Sequence, residues 1–214
     1  MKYWLFSILT AALSYCIGSL STLVIASNLV FRSNLRKLGR NNVWLSNFRR
    51  IYGIKGFLKL ALVEIVKDFI PLIIAGWLFS GGDNAVVGRS LAAFCMILGR
   101  MYPFIYSFRG GYASAAIVIS ALAIDLSMGI AVLAVIAAVT LLTRYVSIGA
   151  LAGAVTLAAA AILVLENGVA VRLCVITAVL VLVRTMPSIA RICAKKENRL
   201  SFKEDISYKF DEKF

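Results

Sequence analysis

The stretch FRSNLRKLGRNNVWLSNFRRIYGIKGFLK, Phe31 to Lys59, separates two long apolar runs. It carries Arg32, Arg36, Lys37, Arg40, Arg49, Arg50, Lys55 and Lys59, with no acidic residue among them. Such a segment does not cross a bilayer, because each cation costs about 2.5–3.5 kcal/mol at the centre of a spanning helix even on the mildest scale. It reads as a basic loop on the face where positive charge collects. Gly39, Asn41, Asn42, Ser46, Asn47 and Gly53 interrupt it with amides, a hydroxyl and bare backbone. Cations, amides and free N–H groups are what a phosphate-bearing ligand needs. The same residues also suit a solvated loop that orients the chain and touches anionic lipid.

The two flanks set the class. Of 214 residues, 61% are hydrophobic, against roughly 45–50% in soluble domains. The chain is expected to be an all-α, polytopic integral membrane bundle. Tyr3 to Leu29 is preceded by a single basic residue and followed by no small-residue cleavage site, so it reads as a retained first span. The formal charge of +13 belongs beside a membrane, since so apolar a composition leaves no basic soluble domain to hold nucleic acid. Cys16, Cys95, Cys174 and Cys193 are far apart, form no C-x-x-C pair, and read as small buried thiols. There is no histidine. That removes the commonest general base, a Ser-His-Asp triad, the usual zinc sites and the H-x-x-x-x-D motif together.

Seven helical segments are expected: Tyr3–Leu29, Phe57–Phe79, Val87–Ser107, Tyr112–Ile124, Met128–Leu142, Val146–Leu165 and Val169–Val183, with the chain turning polar after Arg184. If the basic stretch is cytoplasmic, alternation puts Arg109, Arg144 and the tail from Arg184 on the same side, and Asp83, Asp125 and Glu166 opposite. Lys2, Arg89 and Arg172 are the exceptions to this positive-inside pattern. The amino terminus is then outside and the carboxy terminus cytoplasmic, which requires an odd number of spans: seven satisfies it, and five longer spans would too. Residues 1–198 form one transmembrane domain, and 199–214 a polar tail without chemistry.

Two features inside the apolar segments stand out. Glu64, Lys67 and Asp68 are spaced to share one helix face, and at that depth they either lock helices together or line a site. Arg100, Tyr102, Pro103, Phe104, Ser107, Phe108, Arg109, Gly110 and Gly111 lead into the fourth segment. A cation and two glycines just before a helix start can gather N–H groups around an anion, or can simply connect two helices.

The order of these motifs resembles the bacterial acyl-phosphate-dependent glycerol-3-phosphate acyltransferases, the PlsY family of integral membrane enzymes, from about Tyr15 to about Glu197. Gly18 and Ser19 match an early G-S-I-P, with Leu20 and Ser21 replacing its last two residues. Arg36, Gly39, Asn42, Asn47, Arg50 and Gly53 agree with D-I-R-x-x-G-S-G-N-x-G-A-T-N-x-x-R-x-x-G laid over Asn34–Gly53. Glu64 and Lys67 correspond to D-x-x-K. Gly99, Pro103, Phe108, Arg109, Gly110 and Gly111 fit G-H-x-F-P-x-F-x-K-F-K-G-G-K-G. Thr143 to Ser147 fits a further segment, and Glu197 aligns with a terminal acidic residue.

The resemblance implies acyl transfer from acyl phosphate to glycerol 3-phosphate, giving lysophosphatidic acid in phospholipid synthesis, at the cytoplasmic face of the bacterial inner membrane. No metal or organic cofactor is implied. The partners are the two substrates and membrane lipid, and not nucleic acid. Carried over residue by residue, Arg50, Lys67, Arg109 and Asn47 are the candidate catalytic groups. Ser19, Arg36, Gly39, Asn42, Gly110, Gly111 and Glu197 are the candidate substrate-binding groups. The departures are Arg40 for a serine, Asn41 for a glycine, Arg100 for a histidine, Tyr112 for a lysine, and Thr185 and Ser188 for a histidine and an asparagine. Tyr112 supplies no cation at neutral pH, whereas Arg40 and Arg100 add charge. A second class of function therefore stays open: a catalytically degenerate relative that binds lipid or phosphate as a regulatory membrane protein. A small-anion transporter fits less well, because the glycines and asparagines cluster at one face and not at mid-membrane.

Overall fold

The computed structural model describes residues 2–22, 24–25, 45–80, 84–108, 110–111 and 113–194. Among them are seven α-helices: α1 Lys2–Ser19, α2 Leu45–Leu78, α3 Asn84–Met101, α4 Ser114–Ile124, α5 Leu126–Thr143, α6 Val146–Val164 and α7 Gly168–Cys193. A short 3-10 turn, Phe104–Tyr106, follows α3. Among the described residues, four stretches are long and apolar enough to cross a membrane: Asn84–Tyr106, Leu126–Thr143, Val146–Val164 and Gly168–Ile192. At a rise of about 1.5 Å per residue, α5 and α6 reach about 27–29 Å, close to the thickness of a hydrocarbon core. Trp4–Ser19 and Ser114–Ile124 are apolar but shorter.

The chain divides into two compact units, Met1–Leu20 with Lys67–Arg199, and Ser21–Val66 with Leu200–Phe214. In the second unit, α2 from Leu45 to Val66 is regular helix with Lys55 and Lys59 exposed, and the Val24 amide donates to the Ser21 carbonyl at 3.1 Å. The first unit holds one continuous core, in which Leu72, Met96, Ile97, Met101, Ile117 and Met128 are fully buried. Alanine fills much of the rest, at Ala75, Ala92, Ala116, Ala121, Ala154 and Ala161. Small residues let helix backbones approach where lipid offers no hydrophobic gain for bringing helices together. α1 and α3 approach closely: a Cβ on Gly18 would strike the Met96 carbonyl, and one on Gly99 the Tyr15 carbonyl. Large apolar side chains face outward instead, with Leu142 and Leu163 each 84% exposed.

Several expected boundaries move. The first span was expected to run unbroken to Leu29, yet α1 ends at Ser19 and Leu20 and Ser21 are not helical. The second helix was expected to begin at Phe57, but it already starts at Leu45, because Asn and Gly weaken a helix by only about 1 kcal/mol each. The last helix was expected to stop at Val183. It continues to Cys193 through Arg184, Pro187 and Arg191, since polar residues end a span without ending a helix. Cys16 is exposed and not buried, while Cys95 and Cys174 are buried as expected.

Candidate functional site

The last turn of α3 is where the recognisable groups of the first unit meet. Ser19 lies against it, and a Cβ on Gly99 would come 3.0 Å from the Ser19 amide nitrogen and 3.1 Å from its Oγ. The Ser19 hydroxyl donates to the Tyr15 carbonyl at 2.8 Å, and the Tyr15 hydroxyl donates to the Tyr102 carbonyl at 2.8 Å. The rings of Tyr15 and Phe104 stack at 6.1 Å. The end of α1 is thereby stitched to the segment that leaves α3.

Lys67 stands one turn before Pro71 on α2. Its Nζ donates to the Leu20 carbonyl at 2.7 Å and lies 3.6 Å from Asp68 Oδ1. An ammonium at a broken helix end meets both orphan carbonyls and the negative pole of the helix dipole. Asp68 has no exposed surface, and both its oxygens accept from Arg100 Nη2 at 2.9 Å. Of the face expected to carry Glu64, Lys67 and Asp68, the latter pair therefore engages α1 and α3. Glu64 falls in the second unit and is buried there.

Beyond the 3-10 turn the backbone passes through two successive left-handed residues, Ser107 at φ 54° and Phe108 at φ 59°. The Phe108 amide donates to the Pro103 carbonyl at 2.9 Å. This reversal lays the glycine turn back on α3, so closely that a Cβ on Gly110 would collide with the carbonyls of Arg100 and Met101. Only glycine fits there. From α7, Arg184 Nη2 donates to the Gly110 carbonyl at 3.4 Å, and its guanidinium lies 5.6 Å from the centre of the Tyr102 ring. Gly110 and Gly111 precede α4, whose N-terminal cap is Ala113.

Of the eleven candidate residues, the structure thus brings Ser19, Lys67 and Gly110 to the end of α3, with Gly111 beside them. Asn47 and Arg50 lie on α2 in the second unit, where their side chains are outside the described residues. Arg36, Gly39, Asn42, Arg109 and Glu197 are outside the described residues altogether. Two residues that stand where the family has histidine and asparagine are buried on α7: Thr185 donates to the Val181 carbonyl at 2.7 Å, and Ser188 accepts from Arg191 Nη2 at 2.7 Å. The sequence marked Arg184 only as a charge at a helix end and gave Tyr102 no role. Their place beside the glycine turn follows from helix packing, which residue spacing does not encode. Among the described residues no group of His, Cys, Asp or Glu is placed to hold a metal ion.

Comparison with known proteins agrees with the motif order. Residues 8–195 match the family model described as glycerol-3-phosphate acyltransferase. A glycerol-3-phosphate acyltransferase 2 of Bacillus anthracis is 30% identical over 91% of this chain and 99% of its own length. A glycerol-3-phosphate acyltransferase of Halalkalibacterium halodurans is also 30% identical, over 90% of this chain and 94% of its own. Among solved structures, the crystal structure of PlsY (YgiH), an integral membrane glycerol 3-phosphate acyltransferase, in its glycerol 3-phosphate form superposes with a TM-score of 0.76 at 24% identity, covering 91% of this chain and 96% of that one. The lysophosphatidic acid form gives a TM-score of 0.75 at 23% identity, over 90% and 94%. That likeness shows the fold, an integral membrane helical one, and the sequence matches show the kinship: this chain belongs to the glycerol-3-phosphate acyltransferase family.

Proposed function

We propose that this chain transfers a fatty acyl group from acyl phosphate to glycerol 3-phosphate, giving lysophosphatidic acid for phospholipid synthesis. The observation that carries this reading is the family match over residues 8–195. It is supported by crystal forms of a protein of like fold with glycerol 3-phosphate and with lysophosphatidic acid, the acceptor and the product of such a step.

The acceptor hydroxyl attacks the acyl carbonyl carbon, the bond from that carbon to the phosphate oxygen breaks, and the phosphate leaves with the electron pair. The chain has no histidine to take the hydroxyl proton. We assign that proton to a substrate phosphate oxygen, a base whose second pKa is about 6. Negative charge grows on the carbonyl oxygen and the leaving phosphate, so placed cations and N–H groups are the main catalytic need. In this reading Arg50, Lys67 and Arg109 supply charge and Asn47 orients the reacting groups. Ser19, Arg36, Gly39, Asn42, Gly110, Gly111 and Glu197 bind substrate, and the acyl chain lies along apolar helix faces. No cofactor enters the chemistry.

The same proposal makes residues 1–198 one acyltransferase domain of seven spans and 199–214 a polar tail. The amino terminus is outside, and the carboxy terminus and active face are cytoplasmic, in a bacterial inner membrane. Support comes from charge: Arg144 and Asp125 flank opposite ends of α5, and Arg144 and Glu166 opposite ends of α6.

Membranes holding the full chain, incubated with acyl phosphate and labelled glycerol 3-phosphate, are expected to form lysophosphatidic acid. Arg109→Ala is expected to lower the rate about 100-fold or more, the usual loss for a transition-state charge partner. Binding of glycerol 3-phosphate without any product would instead favour the non-catalytic relative. Product formation unaffected by Arg109→Ala would overturn the site assignment.

A further inference from the structure

Asp68 is a fully buried carboxylate among apolar helices. A charge in that position is costly unless cations and hydrogen bonds hold it. Arg100 contributes two 2.9 Å contacts and Lys67 one of 3.6 Å. The Lys67 ammonium is also bound to one part of the candidate site, and the Arg100 backbone lies against another. Lys67 donates to the Leu20 carbonyl at 2.7 Å, at the break that follows Ser19. Arg100 lies directly under the glycine turn, its carbonyl being one of the two that a Cβ on Gly110 would strike. One carboxylate on α2 therefore ties the end of α1 to the turn that follows α3.

We propose that Asp68 is a positioning residue for acyl transfer. Through Lys67 and Arg100 it sets where the Lys67 ammonium and the Gly110–Gly111 turn stand, and it does not itself touch substrate. The inference rests on the acyl-transfer reading above. Its physical basis is that Lys and Arg side chains are long and flexible, so a cation reaches a near-attack geometry only if something pins it. A misplacement of about 1 Å at a reacting centre can cost about 100-fold in rate. Asp68 also cancels the mutual repulsion of two cations held on neighbouring helices, which a neutral residue would not. An interhelical lock that served stability alone would make the same contacts, so the test separates the two roles.

Purified full chain is assayed for kcat and for KM toward glycerol 3-phosphate, per mole of folded monodisperse protein. Asp68→Asn is expected to lower kcat at least about tenfold while KM changes less than about threefold, the signature of an interaction used in the transition state. Asp68→Glu keeps the charge and is expected to recover part of that loss. Should Asp68→Asn fail to fold, Asp68→Asn/Arg100→Gln removes both members of the pair and is expected to fold while keeping the low kcat. Wild-type kcat in either folded variant, or Asp68→Glu no better than Asp68→Asn, overturns the positioning role. A wild-type chain that forms no lysophosphatidic acid overturns the acyl-transfer reading itself, a failure visible before any variant is made.

Discussion

Lys67, Arg89 and Arg184 each aim a donor at a backbone carbonyl near a helix end or turn: Leu20 at 2.7 Å, Ala123 at 3.1 Å and Gly110 at 3.4 Å. Where water is scarce, a carbonyl that has lost its helical partner needs another donor, and a long cationic side chain can supply one from a neighbouring helix. This accounts for Arg89, an exception to the charge asymmetry: it reaches the last turn of α4 and packs against Gly76. The other decisive residues at this scale are glycines. Gly99 sits where the backbones of α1 and α3 touch, against Tyr15 and Ser19. Gly99→Ala is expected to force the two helices apart and to destabilise the protein by about 1–3 kcal/mol, the usual cost of overpacking. The check is the thermal unfolding midpoint in detergent, and an unchanged midpoint would mean that the α1–α3 contact is looser than described.

Helix ends in this molecule are set by caps more than by loss of hydrophobicity. Asp125 closes α4, its amide donating to the Ala121 carbonyl at 2.9 Å. It also opens α5, its Oδ1 accepting from the Ser127 and Met128 amides at 2.9 and 3.2 Å. Asn167 opens α7 in the same manner, accepting from the Val169 and Ala170 amides at 3.0 and 3.3 Å. Both residues fall between helical segments expected from the sequence. Their capping role is local, which is why these boundaries were expected to within a few residues. The Ser127 hydroxyl, with the Met128 amide, holds the Asp125 carboxyl below its usual range. A lowered folded-state pKa stabilises the native state above the unfolded value, about pH 4, and that contribution is lost as pH falls toward the folded value. Asp125→Ala is therefore expected to cost about 1 kcal/mol at neutral pH. The gap from wild type should narrow on acidification, and a gap that stays constant from pH 7 to pH 3 would remove the ionised cap as its cause.

For the whole molecule, the proposed orientation rests on which turns share a side of the membrane. The turn at Arg144 lies between α5 and α6, and the turn at Asn167 between α6 and α7. In a background freed of its native cysteines, Arg144→Cys is expected to be labelled by an impermeant maleimide only after the membrane is opened. Asn167→Cys is expected to be labelled in intact cells. Labelling of both from the same side would mean that α6 does not cross the membrane, and would undo the proposed seven-span arrangement.

The class of fold and the family were carried by the linear chain, since apolar run length, charge distribution and the order of short motifs are all properties of consecutive residues. The family match over residues 8–195 agrees with them. Partnership was not carried that way. Asp68 and Arg100 stood out separately as ionisable groups in apolar segments, but a charge does not name its counter-charge, and only the packing of α2 on α3 joined them at 2.9 Å. Lys67 looked like a cation for phosphate. The break after Ser19, visible only once α1 was folded against α3, gave it a carbonyl as well. The physical reason is the same in each case: hydrophobicity and capping act over a few neighbouring residues, whereas a buried charge is satisfied by whichever group the helix crossing brings within hydrogen-bond reach.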